Sequence, residues 1–321
     1  MTFVTSELTI ATDERSDFSA PRPFVVAPDD GVLHRILVAT DGSSTADGAL
    51  KLADLIAQRE ESSMDVLSVL DPAPTVTECL FADALAEHVE RRFTRVRIQV
   101  GAVIAAPPRW RPAIDVGSVG ETICRVARAR ASDLIVVGSG QHRRVGDRTP
   151  EKTTALRIAE LSSTPVLAVP SHIRTLPTRA MFAMDFSRTS IRAARAALHV
   201  MGTPGVVHLV YVRTDHEPFA ERVDLDPTYA AGFASFFDGV ELELCPPPGV
   251  TFERVVVRWG DPVSELLGYG SARGIELIAV GNRGEAANEL HHLGSVSAGI
   301  LRSAQCAVLV SGSGYRDPVG Y

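Results

Sequence analysis

The sequence predicts an α/β protein made of two tandem doubly wound, Rossmann-like domains, each a five-stranded parallel sheet with helices on both faces. Three observations lead to this prediction: an internal repeat, short apolar runs that alternate with helical patterns, and Asp or Gly residues where the runs end. Such alternation is typical of parallel sheets, because parallel strands need a crossover connection. The 321 residues also suit two domains better than one.

The internal repeat has a period of about 143 residues. Five pairs of segments keep an offset of 142 to 144 positions, with these matches: Asp41 with Asp185, Ser68 with Tyr211, Gly117 with Gly260, Gly138 with Gly281, and TPVLAVP with CAVLVSG. We therefore define a first half, residues 31–173, and a second half, residues 174–315. Residues 1–30 hold six acidic and two basic residues, so we expect a disordered acidic leader.

Each half begins with an apolar strand, ILVAT or MFAM, that ends at an Asp and is followed by a Ser. Asp and Ser are good helix N-caps, so Asp41 or Ser43 and Asp185 or Ser187 are predicted to start a helix. That helix packs an apolar stripe on the sheet: Ala49, Leu50, Ala53 and Ile56, or Ile191, Ala194, Ala197 and Leu198.

A longer second helix is predicted in each half from apolar residues three and four apart, over 85–103 and 233–244. In the first half, Val96, Ile98 and Val100 also alternate as a strand would, which leaves an extended segment open there. Proline clusters end both segments. A strand, a helix, a strongly apolar strand, a glycine-bearing loop, a helix and a last strand complete each half.

The last strands, TPVLAVP and CAVLVSG, are short apolar runs with an otherwise bare sheet edge. Unpaired edges invite pairing with a like strand. We therefore expect the halves to form an internal pseudo-dimer through these strands. A homodimer of the whole chain remains open.

Composition excludes several classes of function. The formal charge of −7 argues against nucleic-acid binding, and neither a signal sequence nor an apolar run of 18 residues occurs, so we expect a cytoplasmic protein without a membrane segment. The four cysteines are far apart, which excludes a zinc knuckle or redox motif and predicts buried reduced thiols. The histidines show no metal-ligand spacing, so no protein metal site is expected.

The most informative motif is the glycine loop, residues 281–295 of the second half. Gly281 directly follows the apolar strand ELIAV, and the spacing continues through Gly284 to Gly294 and Ser295, which open the helix SVSAGILRS. A helix N-terminus beside glycines offers free backbone amides and a positive dipole end to phosphate oxygens. Glycine also lets backbone approach a phosphate without a Cβ in the way.

The repeat resembles the universal stress protein family of the tandem two-domain kind, from about residue 33 to 311. The resemblance rests on ILVATDGS, DLIVVG, PVLAV, and above all VGNRG with LGSVS. It implies that ATP binds with a divalent cation, Mg²⁺. It places Ala183, Asp185 and Val212 around the adenosine, and Gly281, Arg283, Gly284, Gly294, Ser295 and Val296 around the ribose and phosphates. Without a ligand, Asp185 and Ser187 would be only a helix cap and the glycines only turn residues.

The first half departs from this pattern. Gln141 stands where the second glycine should be, and Lys152-Thr153 stands in place of Gly-Ser. A weakened anion site could still use Asp41, Val69, Gly138 and Thr153. We therefore expect nucleotide mainly in the second half.

No catalytic residues are expected, since neither a nucleophile elbow nor a placed general base is evident. The favoured function is an ATP-binding stress-response regulator that is not an enzyme and signals to a protein partner that the sequence does not identify. One alternative is a scaffold that has kept the fold and lost the ligand. Another is a slow ATP hydrolase.

Overall fold

The computed structural model describes residues 33–71, 82–104, 112–140, 153–213, 227–257, 260–282 and 293–311. All of them lie in one compact unit, Val32–Tyr321. The predicted acidic leader lies outside the described residues.

Within its described residues, the first half contains five strands and four helices. The strands are β1 (Arg35–Ala39), β2 (Ser63–Leu70), β3 (Ala113–Val116), β4 (Leu134–Gly138) and β5 (Val166–Val169). The helices are α1 (Asp47–Arg59), preceded by a 3-10 turn (Ser44–Ala46), α2 (Ala82–Val103), α3 (Val119–Ala129) and α4 (Thr154–Leu161).

The second half repeats this order. Its strands are β6 (Arg179–Ala183), β7 (Gly205–Val212), β8 (Val250–Val257), β9 (Leu277–Val280) and β10 (Ala307–Val310). Its helices are α5 (Arg188–Leu198), α6 (Pro227–Leu244), α7 (Pro262–Arg273) and α8 (Ser295–Ser303).

All ten strands form one sheet in the order β3-β2-β1-β4-β5-β10-β9-β6-β7-β8. Within each half the strands are parallel, and the halves meet at β5 and β10, which pair antiparallel with Leu309 opposite Leu167. The predicted α/β fold is confirmed, and so is the pairing of the last strands. Each half has its switch of winding direction beside its first strand, where ligands bind in such sheets.

The core consists of two layers, one on each face of the sheet. One layer packs α1, α2, α5 and α6 on the sheet, and the other packs α3, α4, α7 and α8. Both layers contain residues of both halves, because the sheet is continuous through β5 and β10. Burial of this apolar surface therefore holds the two halves together as well as each half by itself.

The segment near residues 94–100 is helical, so the strand that alternation left open is wrong. Val96 and Val100 are buried while Ile98, between them, is 66% exposed. A strand would place all three side chains on one face, whereas a helix separates Ile98 from the other two. Leu85, predicted for the same apolar stripe, is exposed.

Of the four cysteines, Cys124, Cys245 and Cys306 are described, and all three are free thiols. Burial raises the pKa of Cys124 and of Cys306 to about 11, so these thiols stay protonated at neutral pH. Cys306 is only partly buried, and the expectation that all are buried is wrong for Cys245. Cys245 is exposed, because it follows the last residue of α6 at the surface with a positive φ of 43°.

Candidate functional site

The predicted adenosine residues lie at the carboxyl edge of the second half. Ala183 ends β6, where it pairs with Val280 of β9 on one side and Val210 of β7 on the other. Val212 ends β7, and both Ala183 and Val212 are partly exposed. Asp185 follows β6 and is exposed. The sheet therefore brings these three residues to one edge, beside the start of the glycine loop.

Asp185 forms a turn rather than a helix cap. Its Oδ1 accepts a hydrogen bond from the amide of Ser187 at 3.0 Å, and Ser187 caps α5 by accepting from the amide of Ser190. In the first half, Asp41 Oδ1 likewise accepts from the amide of Ser43, at 2.9 Å. The turn fixes each carboxylate at the sheet edge while leaving it exposed to solvent.

Gly281 has a structural role that the sequence did not reveal. A Cβ at this position would lie 2.7 Å from Thr189 Oγ1 and 2.8 Å from the amide nitrogen of Ser190, in the first turn of α5. The matching Gly138 would meet the backbone oxygen of Thr45 at 3.0 Å. Close packing of helix against strand therefore requires Gly281, whether or not a phosphate approaches it.

The two ends of the glycine loop are held together by backbone contacts. The amide of Gly294 donates to the backbone oxygen of Asn282 at 2.7 Å, and Ser297 Oγ donates to the backbone oxygen of Gly281. The amide of Asn282 donates to Ser311 Oγ at 3.1 Å. These bonds fix the first turn of α8 beside the end of β9. The predicted Arg283 and Gly284 lie outside the described residues.

The N-termini of α8 and α4 differ in how they are capped. Gly294 is the N-cap of α8, and having no side chain it makes no side-chain capping bond. Thr153 is the N-cap of α4, and its hydroxyl accepts from the amide of Leu156 at 3.3 Å. The first turn of α8, which includes Ser295 and Val296, thus keeps amides that an anion can accept from, while α4 satisfies one of its own.

The candidate residues of the first half occupy positions that match those of the second half, but Val69 is more buried than its counterpart. Asp41 is exposed after β1, Gly138 ends β4, and Thr153 caps α4. Val69 is buried, with 8% exposure, whereas its counterpart Val212 is partly exposed. The structure brings these residues to one edge of the sheet, but Thr153 is engaged in capping.

Sequence reasoning missed two buried polar residues at the edge of the second half. Arg213 follows β7 directly and is 3% exposed, a position where the first half has Leu70. Asn282 is 2% exposed, and within the described part of the chain its Oδ1 has no hydrogen-bond partner. A buried acceptor in this state costs free energy, so the arrangement favours a donor supplied from outside the protein. The sequence signal that could have found them is a polar residue at or near the end of an apolar strand.

An aromatic cluster packs around Phe186, the residue that follows Asp185 in the turn. The ring of Phe186 stacks on Phe236 at 5.0 Å between centroids, and it contacts Tyr211 at 5.3 Å and Phe237 at 5.5 Å. Phe186 adopts a positive φ of 60°, at the position where the first half has Gly42. The cluster offsets the strain of this backbone conformation by burying apolar area.

Among the described residues, no group of three or more His, Cys, Asp or Glu is placed to hold a metal ion. In the same part of the chain, no helix is long and apolar enough to cross a membrane.

Comparison with known proteins gives a family match and several fold matches. The universal stress protein family model matches residues 33–170 and again 178–311. A universal stress protein from Archaeoglobus fulgidus DSM 4304 has a TM-score of 0.60 at 19% identity, over 88% of this chain and 97% of that chain. A putative universal stress protein from Pseudomonas aeruginosa UCBPP-PA14 has a TM-score of 0.55 at 15% identity, over 87% and 93%.

A universal stress protein solved in complex with cAMP matches 44% of this chain and 99% of its own length, with 20% identity and a TM-score of 0.35. No curated protein matches this chain. At these identities the solved structures show the fold alone, and the family model identifies the family.

Proposed function

Because the chain belongs to the universal stress protein family, whose model matches both of its halves, we propose that it is an ATP-binding stress-response regulator that holds nucleotide mainly in its second half. In this proposal residues 31–173 and 174–315 are its two domains. The protein acts in the cytoplasm and passes its nucleotide state to a protein partner.

The observation that carries the proposal is the cap of α8. Gly294 leaves the first turn of this helix without a side-chain cap, and its bond to Asn282 holds that turn beside the end of β9. Uncapped amides and the positive end of the helix dipole attract phosphate oxygens. The phosphates would accept from the amides of Ser295 and Val296 and lie over Gly294, whose own amide is bound to Asn282. The loop residues Arg283 and Gly284 would complete their surroundings.

The remaining residues suit the sugar and base. Asp185 presents an exposed carboxylate that can accept a hydrogen bond from a ribose or adenine donor, and Ala183 and Val212 offer partly exposed apolar surface beside it. Asn282 Oδ1 adds a buried acceptor. This set of groups supports recognition of a nucleoside triphosphate rather than of a simple anion.

The second part of the proposal is that ATP is held and not hydrolysed. We assign Asp185 to the adenosine part of the ligand, so it does not orient a water molecule at the γ-phosphate. One of its oxygens is also bound to the amide of Ser187. Mg²⁺ would accompany the phosphates, and the protein would act as a nucleotide-dependent switch.

The alternative of a domain that keeps the fold without a ligand suits the first half better. The hydroxyl of Thr153 caps α4 by accepting from the amide of Leu156. One amide that a phosphate could otherwise use at this helix start is therefore already bonded. The proposal predicts a single nucleotide site of high affinity, in the second half.

Mass spectrometry of small molecules released from the purified protein tests the proposal. ATP should be released from the wild type and from Thr153→Ala, and its amount should fall strongly in Gly294→Glu, whose side chain and charge oppose a phosphate. Parallel measurement of ADP, AMP and cAMP identifies the ligand. Absence of every adenine nucleotide, together with no uptake of added ATP, would mean that the proposal is wrong.

A further inference from the structure

Three side chains of α2 lie over the Asp41 turn of the first half. Arg92, Arg95 and Gln99 are spaced by three and four residues, so they share one face of the helix. Gln99 fixes this face in place, because its side chain hydrogen-bonds to the hydroxyl of Thr40 at 2.7 Å and to Asp47 at 2.8 Å. The two arginines are thereby held at the carboxyl edge of β1 and β2.

Both arginines lie against a small polar area formed by Ser68 and the Asp41 turn. Arg92 Nη1 donates to Ser68 Oγ at 3.4 Å, and the stem of Arg95 covers Gly42, where a Cβ would meet Arg95 Cγ at 2.7 Å. Burial lowers the pKa of Arg92, and Arg95 lowers it further, while Asp41 raises it. These three charged groups therefore affect one another at close range.

Within the described part of the chain, no contact ion pair balances the charge of Arg92 and Arg95. The one ion pair within 4 Å that the arginines of α2 form there joins Arg91 to Glu87. Asp41 is nearby, but its Oδ1 accepts from both the amide and the hydroxyl of Ser43. Two guanidinium groups and one carboxylate leave a net positive charge at the sheet edge.

The fold does not require this cluster, as the second half shows. Where the first half has Ser68 and Gly42, the second half has Tyr211 and Phe186, and Phe236 of α6 stacks on Phe186. The turn after the first strand is thus covered by aromatic side chains in the second half, whereas in the first half the residues around it are polar and cationic. The cationic arrangement is therefore specific to the first half.

We propose that Arg92 and Arg95, with Ser68, form a second anion site, which binds the phosphoryl group of a small phosphomonoester. Guanidinium groups present paired N–H donors that match phosphate oxygens, and charge-assisted hydrogen bonds of this kind are strong. The site uses side chains of α2 and not the N-terminus of α4. It is therefore chemically separate from the ATP site proposed for the second half and does not depend on it.

The test is calorimetric titration of the full chain carrying Gly294→Glu, with inorganic phosphate and with AMP as probes. We expect saturable binding of about one probe per chain. Adding Arg92→Met with Arg95→Met should weaken it by about tenfold or more, because two charge-assisted contacts are lost. The matched control, Arg91→Met with Arg97→Met, removes the same charge from α2 but leaves Arg92 and Arg95 in place, and it should retain the affinity.

Equal weakening by both double variants would show that the effect is general charge attraction and would overturn the proposal. Absence of saturable binding in the Arg91→Met with Arg97→Met control would overturn it as well. Tighter binding of AMP than of phosphate would assign the site to a nucleotide, and equal binding would assign it to the phosphoryl group alone; both support it. Circular dichroism checks that each variant is folded. If a Met variant is not folded, Arg92→Lys with Arg95→Lys keeps the charge, loses the paired donors and should still weaken binding.

Discussion

The backbone amide of Gly294 donates a hydrogen bond to the backbone oxygen of Asn282 across 2.7 Å, so the two ends of the glycine loop meet. The bond places the uncapped start of α8 directly beside the end of β9. In the proposed function this uncapped helix start would receive the phosphates, and the bond holds it in place at the sheet edge. Such preorganisation lowers the entropic cost of binding, because less of the site has to be ordered by the ligand.

The first prediction concerns the packing role of Gly281. Gly281→Ala should destabilise the nucleotide-free protein by about 1 to 3 kcal/mol, because the new methyl group meets the backbone of Ser190 and has no room to move. Denaturant unfolding measures the loss. The control is Gly268→Ala, at an exposed helical position with no atom within 4 Å, which should be neutral or slightly stabilising. A fully stable Gly281→Ala protein would contradict the structural role.

The second prediction concerns pH. His208 is 4% exposed, with Nδ1 2.8 Å from the hydroxyl of Tyr269 and 3.3 Å from a carboxylate oxygen of Glu253. Burial lowers the pKa of His208 below its ordinary 6.5, an effect that Glu253 opposes and that Arg273 and Arg179 reinforce. In the window between 6.5 and the lowered pKa, the unfolded chain binds a proton that the folded chain does not.

Stability should therefore fall as the pH drops below about 6.5. The free energy of unfolding, measured by denaturant titration from pH 7.5 to 5, should show this slope in the wild type and a smaller slope in His208→Gln. His172→Gln, at an exposed position, serves as the control and should keep the wild-type slope. Identical slopes in all three proteins would refute the assignment to His208.

The third prediction concerns the junction of the halves. A fragment of residues 174–321 exposes the edge of β10, which in the full chain pairs antiparallel with β5. The fragment should self-associate, with Leu309 facing Leu309 of a second copy, because an apolar strand edge seeks a partner. Sedimentation velocity beside the full chain measures this. A stable monomer with native helicity would show that the junction is dispensable.

The fourth prediction concerns turnover. With Mg²⁺ and less than one equivalent of ATP, the protein should retain ATP unhydrolysed for longer than minutes, because no residue is assigned to activate a water molecule. Quenched single-turnover assays follow the nucleotide directly. Faster hydrolysis that disappears on changing Asp185 or Ser295 would make the protein an enzyme and would remove this part of the account.

The order of the elements along the chain and the pairing of the last strands could be predicted from the sequence, because the repeat supplies every element twice. A weak pattern in one half, such as the helix over 233–244, is supported by its counterpart in the other. The segment around Ile98 could not be decided in this way, since periods of 2 and 3.6 both fit so short a run. Only the packing of Val96 and Val100 into the core, with Ile98 exposed, distinguishes a helix from a strand in this segment.

The edge of the sheet was predictable as a location, because Asp185 and Gly281 follow apolar strands. The roles of its residues were less predictable. A glycine that allows a phosphate to approach and a glycine that allows a helix to pack have the same sequence signal, and Gly281 packs against α5. Burial of Arg213 and the convergence of Arg92 with Arg95 depend on tertiary contacts that no local pattern encodes.

We expect nucleotide to bind the second half far more tightly than the first. Calorimetric titration of the nucleotide-stripped chain with ATP and Mg²⁺ measures this difference. It should show one tight equivalent per chain, lost on Gly284→Glu with Gly294→Glu and retained on Asp41→Ala. Two equal sites, or one tight site that survives the double glycine change and disappears on Asp41→Ala, would contradict it.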